Sequence, residues 1–283
     1  MTKIPVDLHT HTSFSPDSHE PIDNMCRRAC ELGIEAYAVT DHCEADRFFS
    51  DEHYGRRKTG YEFDIYDYKN NFEASMSGIT AAKERYAGKL NLICGVELGQ
   101  ALFDTEAAEI VLSDSRLDYV IASLHELKDS EDFAFLDYSR INVPEIMRQY
   151  FYEVNRICKW GKFDILGHLT YTLRYIEGKQ KIHVDLAPYE DIIDDSFRAL
   201  IGNGRGIEIN TSGLRQAYGK TFPTLRYIKR FRELGGEILS IGSDAHDTRV
   251  LGTGIADGME LARQAGFRYI TYFKNRRPEF IAL

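Results

Sequence analysis

What most constrains this chain is an alternation that runs along nearly all of it. Short β-rich runs and longer helix-period segments follow one another, with no repeat, low-complexity tract or Pro/Gly/Ser linker between them. Strands separated by helices lie parallel in one sheet, because a parallel neighbour is reached only through a crossover long enough to hold a helix. The strand runs fall at residues 4–8, 36–40, 90–96, 119–123, 165–167, 207–209 and 239–241, with a weaker eighth at 269–272. Helical segments are expected at 21–32, 70–87, 145–160, 189–201 and 224–234, the first bracketed by Pro21 and Gly33 as helix punctuation requires. Residues 43–69 and 171–187 break the rhythm and are longer than ordinary βα loops, so they are expected to be insertions covering a substrate. A length of 283 residues suits a single α/β barrel, and residues 1–283 are expected to form one domain.

Composition narrows the function classes. The chain has 35 Lys plus Arg against 44 Asp plus Glu, a formal net charge of −9, whereas nonspecific nucleic-acid binders present a basic face. No nucleic-acid partner is expected. The 43% of hydrophobic residues and only 7 Pro suit a sizeable core. Five cysteines (Cys26, Cys30, Cys43, Cys94 and Cys158) form no Cys-x-x-Cys pair, so neither a disulfide framework nor a thiolate zinc site is expected, and a cytoplasmic location fits. Cys26 and Cys30, one helical turn apart, read as packing residues. No apolar run nears the roughly 18 residues of a membrane helix, and no signal-peptide apolar region follows Met1.

The chemistry lies at the ends of the strand runs. His9 and His11 follow the first; residues two apart on a strand share a side, so both can close on one cation, although two unrelated surface histidines would look the same. Thr40-Asp41-His42 ends the second run, Gly95-Val96-Glu97 the third, Ser123-Leu124-His125 the fourth, Gly167-His168 the fifth and Ser243-Asp244-Ala245-His246 the seventh. In a βα barrel the carboxyl ends of the strands gather on one face, where active sites are built. Six of the 9 histidines thus converge with several acids, while His19, His53 and His183 sit in loop-like contexts and take no role.

This set resembles the polymerase and histidinol phosphatase (PHP) family of metal-dependent phosphoesterases. The likeness rests on the His-x-His opening, Thr-Asp-His, Gly-x-Glu, the isolated His125 and His168, and the closing Ser-Asp-Ala-His, and it spans Asp7 to His246. It implies a distorted (β/α)7 barrel with the eighth strand candidate outside. Residues 118–126 and 208–213 are most similar to the family's stand-alone histidinol-phosphate phosphatases. The resemblance implies three divalent ions, zinc, iron or manganese: one held by His9, His11, Glu97 and Asp244, a second by Glu97, His125 and His168, and a third by Asp17, His42 and His246. Some members carry His at the position of Asp17. Asp41 is expected to orient a ligand, and Cys43 to be a small buried residue.

Three such ions with Asp17, Glu97 and Asp244 would leave a net charge of roughly +3, which attracts a phosphate dianion to an acidic protein. Metal-activated water can then attack phosphorus without a serine or cysteine nucleophile. Asp244, Glu97 and His246 are the catalytic candidates. Arg174 and Arg215, in the loops after the fifth and sixth strands, are candidates to grip phosphate, with Asn210 and Ser212 beside them. The implied reaction is hydrolysis of L-histidinol phosphate, a small phosphate monoester whose amine and imidazole need an acidic or aromatic pocket; Glu44, Asp46, Phe48, Phe49, Tyr54 and Tyr61 supply candidates. The competing readings are another PHP phosphoesterase (a nucleoside-phosphate phosphatase, phosphodiesterase or exonuclease) and a noncatalytic metal-stabilised interaction module.

Overall fold

The computed structural model describes residues 4–49 and 66–283. Seven strands follow one another around a parallel barrel: β1 (Val6–Asp7), β2 (Ala36–Val39), β4 (Asn91–Gly99), β5 (Tyr119–Ser123), β6 (Ile165–Leu166), β7 (Gly206–Asn210) and β8 (Leu239–Gly242). A short β3 (His42–Glu44) also pairs with β4, so β2 and β3 are two pieces of one barrel stave interrupted at Thr40 and Asp41. The last seam, between β8 and β1, is closed by Leu8 N–H to Ile241 O (3.0 Å), Asp244 N–H to His9 O (2.8 Å) and His11 N–H to Ala245 O (2.8 Å). The barrel is therefore nearly closed, and His9, His11 and Asp244 sit on its seam.

Sequence dictates these elements locally. β4 is buried at every position after Asn91, as a parallel strand covered on both faces must be, and it reads as an almost continuous apolar run. Helix α1 (Ile22–Leu32) buries Ile22, Met25, Cys26 and Ala29, the one-faced spacing of an amphipathic helix, and stops at Gly33, whose φ of 68° is left-handed. The side chains of Asp67, Asp104 and Asn142 accept backbone N–H groups at the starts of α2 (Tyr68–Arg85), α3 (Thr105–Leu112) and α4 (Val143–Trp160). Helices α5 (Glu190–Gly202) and α6 (Leu225–Glu233) complete the crossovers, and α7 (Ile255–Gln264) follows the last barrel strand.

The eighth strand candidate is β9 (Tyr269–Lys274), which pairs antiparallel with β10 (Arg277–Ala282) in a separate hairpin outside the barrel. The hairpin plugs the amino-terminal end: Phe273 stacks on Tyr119 (5.4 Å between rings) and Thr271 Oγ1 accepts Leu239 N–H. The stretch expected as a first insertion opens as β3 and the 3-10 turn Ala45–Arg47, so its beginning belongs to the barrel wall. The second, 171–187, contains a π-helical segment, Arg174–Lys179, over the carboxyl end. No helix among the described residues is long and apolar enough to cross a membrane.

Candidate metal centre

The nine expected ligands come from six barrel staves and the loops that follow them, and meet at the carboxyl end around Glu97. Glu97 Oε1 lies 2.7 Å from His168 Nε2 and 3.2 Å from His125 Nε2; Oε2 lies 2.9 Å from His42 Nδ1, 3.2 Å from His9 Nε2 and 3.5 Å from His11 Nε2. Asp244 Oδ1 is 3.5 Å from His11 Nε2 and 3.6 Å from His246 Nδ1, while Asp17 reaches His246 Nε2 at 3.0 Å from the rim. Ligand atoms of His9, His11 and Asp244 lie within 4.8 Å of one another, as do those of His9, Glu97 and His168, of His42, Glu97 and His125, and of His11, His42 and His246. His42 thus stands between groups: it approaches Glu97 more closely than Asp17, whose Oδ1 is 3.7 Å from its Nε2.

Buried polar atoms in folded proteins nearly always have partners. Here, among the described residues, His9 Nε2, His11 Nε2, His42 Nδ1, His246 Nε2 and Glu97 Oε2 are buried without a hydrogen bond, and all lie in the same cluster. A set of imidazole nitrogens and a carboxylate oxygen unsatisfied by protein donors is what a divalent ion satisfies. The residues present fit such ions.

The opposite ring nitrogens are fixed, as metal-ligating histidines require. Glu208 Oε1 holds His9 Nδ1 at 2.8 Å, and its other oxygen accepts the His168 backbone N–H at 2.8 Å. Glu44 Oε1 holds His125 Nδ1 at 3.0 Å. Ser15 Oγ meets His11 Nδ1 at 3.0 Å and donates to Asp41 Oδ1 at 2.9 Å, so Asp41 steadies His11 through a serine while also accepting from Thr12 and Ser75. Glu208 escapes a reading based on strand ends because it lies within β7; its signal is an acid inside an otherwise apolar run, Gly206–Asn210.

Burial opposes charge throughout the cluster, but at the acids neighbouring positive charge outweighs it. Burial pushes Glu97 up, yet His9, His42 and His125 hold it well below the carboxylate range. Asp244 is likewise buried, and His11, His9, Arg174 and His246 hold it well down. His11 goes the other way, lowered by burial and by the proximity of His246 and His42.

Arg174 lies against this acid. Its Nη2 donates to Asp244 Oδ2 (3.0 Å) and Ser212 Oγ (2.8 Å), its guanidinium lies over the Tyr171 ring (4.9 Å), and its buried Nε has no partner. Asn210 Nδ2 is 3.4 Å from Asp244 Oδ2, and its Oδ1 accepts from Ser212 Oγ at 2.6 Å. Arg215 is placed differently: Nη1 and Nη2 donate to the backbone carbonyls of Ser243 (2.6 Å) and Asp244 (2.7 Å). That grip coincides with the left-handed backbone of Asp244, φ 54°, a conformation costly for a non-glycine residue.

Above the cluster opens a cleft of about 200 Å³ lined by His42, Glu97, His125, His168, Arg174, Asp244 and His246, and further out by Glu44, Arg47, Glu126, Asp132 and Tyr171. Phe48 is buried in the core and Phe49 packs against it; neither lines the cleft. Asp46 stands beside Glu126 behind the wall, and Tyr54, Tyr61 and His53 lie outside the described residues. Cys43 is fully buried and all five thiols are free. His19 is exposed, and His183, 87% exposed at its side chain, pairs with Glu177.

Comparison with known proteins agrees with the geometry. The chain is 27% identical over 267 residues to a probable histidinol-phosphatase of Thermotoga maritima, covering 94% of each. It is 25% identical over 275 residues to the histidinol-phosphatase of Lactococcus lactis subsp. lactis, covering 96% of this chain and 95% of that one. The crystal structure of the histidinol phosphate phosphatase from Lactococcus lactis, complexed with zinc, L-histidinol and phosphate, shares the fold with a TM-score of 0.78 at 22% identity over 97% of this chain and 98% of that one. The PHP domain model matches residues 7–212, and with its motif residues gathered at one barrel mouth the chain belongs to the PHP domain family.

Proposed function

We propose that this protein is a metal-dependent phosphomonoesterase that hydrolyses L-histidinol phosphate to L-histidinol and inorganic phosphate, a step of histidine biosynthesis. The observation that carries the reading is the pairing of unsatisfied ligand atoms around Glu97 with an arginine, Arg174, on the same small cleft. The likeness to histidinol-phosphatases over nearly the whole chain supports the choice of substrate.

His9, His11, Glu97 and Asp244 would hold one ion, Glu97, His125 and His168 a second, and Asp17, His42 and His246 a third, with zinc, iron and manganese all compatible with imidazole and carboxylate ligands. Such ions, when bound, lower the pKa of water from 15.7 toward about 7 and neutralise phosphoryl charge. The chain's own groups do the rest. Arg174 presents its guanidinium to two phosphate oxygens, steadied from behind by Ser212 and Asp244. Asp244 would orient the attacking water with Oδ1 and take up its proton, while Arg174 and Asn210 fix Oδ2. Arg215 keeps the 243–244 backbone in the conformation that aims Asp244 inward and adds positive charge near the phosphate. His246, on the rim beside Asp17, is placed to serve the leaving oxygen.

Residues 1–283 act as one domain, in the cytoplasm, where free thiols persist. A small cleft with acids on its outer wall favours a small amine-bearing ester over a nucleic acid, which needs a basic groove. The test is to assay the metal-loaded protein against L-histidinol phosphate, p-nitrophenyl phosphate, a phosphodiester and single-stranded DNA. The expected result is the highest kcat/KM on L-histidinol phosphate; preference for the diester or DNA would overturn the substrate, and no hydrolysis of any ester would leave only a metal-stabilised module.

A further inference from the structure

The cleft is chemically polarised. Arg174, backed by the buried Ser212, lines it beside Asp244, and the lining also carries Glu44, Gln100, Glu126 and Asp132 as an acceptor-rich wall. On that wall the cation Arg47 is already committed, its Nη2 lying 2.5 Å from Glu126 Oε2. Asp132 receives the Ala134 N–H at 2.6 Å and the distant Tyr171 hydroxyl at 3.5 Å, and among the described residues no lysine or arginine pairs with it. The wall therefore offers acceptors in excess of donors.

Gln100 is the most unusual of these groups. It follows β4 with a left-handed φ of 49°, a conformation that glycine adopts without cost and glutamine does not. Its backbone is locked there by Gln100 N–H to Ser123 O (3.1 Å) and Phe103 N–H to Gln100 O (2.8 Å). The residue is 2% exposed, lines the cleft, and its Oε1 has no donor among the described residues. Glu44 Oε2, on the same wall, is also buried and unpartnered, although its Oε1 serves His125. Strained backbone and unsatisfied acceptors are retained together where a ligand supplies the missing donors.

We propose that Gln100, together with Glu44 and Asp132, forms the subsite that receives the N–H groups of the cationic leaving alcohol, and that Gln100 is thereby a specificity-determining residue. The subsite rests on the substrate reading above. Phosphate enters at Arg174, and the carbon chain runs outward past Tyr171 so that the ammonium and imidazole face the acceptor wall. A site built to hydrogen-bond a substrate N–H discriminates strongly against an ester lacking it, because its own polar groups are then left unpaired.

The experiment compares the metal-loaded wild type with Gln100→Met, which keeps volume and removes the acceptor, and Gln100→Glu, which keeps an acceptor and adds charge. Each is assayed on L-histidinol phosphate and p-nitrophenyl phosphate, with L-histidinol as product inhibitor. The kcat/KM ratio of the first ester to the second is expected to fall at least tenfold in Gln100→Met, mainly through KM, with a parallel rise in the Ki of L-histidinol, and to be kept or raised in Gln100→Glu. Equal losses on both esters, an unchanged ratio, or a Gln100→Glu ratio as low as that of Gln100→Met would overturn the subsite. A wild type with no preference for L-histidinol phosphate would instead remove the substrate reading, and the subsite with it.

Discussion

The two ends of this barrel both bury carboxylates, and they treat them in opposite ways. At the amino-terminal end, Asp118 accepts Lys83 Nζ (2.6 Å), Cys94 N–H (3.0 Å) and, from the hairpin, Asn275 N–H (2.9 Å). Asp164 accepts Val120 N–H (2.8 Å), Arg276 Nε (2.6 Å) and Arg205 Nη1 (3.3 Å). Every oxygen there has a protein donor, and the pairs pin the β9–β10 plug to the barrel. At the carboxyl-terminal end, Glu97 takes one protein donor, Ser123 Oγ on Oε1, and otherwise faces a ring of histidines, where five ligand atoms make no hydrogen bond among the described residues. The same residue types at similar depth therefore hold the fold together at one end and wait on a cation at the other. What separates them is whether the chain supplies the donors, since an unpaired buried charge is tolerated only where something binds to it.

That contrast can be broken from either end. At the mouth, Asp244→Asn is expected to cut kcat of the folded fraction by about 10²–10⁴-fold, the range for loss of a positioned acid–base group; a kcat near wild type would make Asp244 a structural residue like those below it. At the base, Asp164→Asn should do the reverse. Removing one partner of a buried pair costs about 3–5 kcal/mol, or roughly 5–8 °C in Tm for a chain of this size, while kcat of the folded fraction stays near wild type. Calorimetry and initial rates on one preparation check both.

Smaller changes sharpen the comparison. Glu208→Ala removes the group that fixes His9 and should weaken metal affinity by about 10–100-fold, read by chelator competition; unchanged affinity would reduce Glu208 to a packing residue. Arg215→Ala should lower kcat by about tenfold, equivalent to some 1.4 kcal/mol of barrier, through the loosened Asp244 turn. A rise in KM at constant kcat would instead make phosphate binding the main role of Arg215.

Much of this was legible in the residues because parallel strands in a barrel end on one face. A ligand-capable side chain after each β-rich run is therefore enough to bring His9, Glu97, His125 and Asp244 together without knowing any crossover. What stayed hidden has physical causes. β3 is only three residues, His42–Glu44, and follows a break at Thr40 and Asp41, so it carries no strand period. Helices α3 and α7 lie outside the helical segments read from periodicity; both are short, and Gly258 sits in α7 because a Cβ there would meet Ile241 Cγ2 at 2.9 Å. Arg215 looked like a phosphate ligand by its place after a strand, but the direction of a long side chain is set by tertiary partners, here two backbone carbonyls. The same limit hid Gln100, whose significance lies in a backbone angle and a missing partner.

The most direct test is the metal content of purified, zinc-loaded protein after gel filtration, comparing wild type, Glu97→Gln and Asp164→Asn. More than one ion per wild-type chain is expected, at least one fewer in Glu97→Gln, and wild-type content in the folded fraction of Asp164→Asn. A folded wild type that retains no divalent ion, or a Glu97→Gln variant that retains as many as wild type, would contradict that expectation.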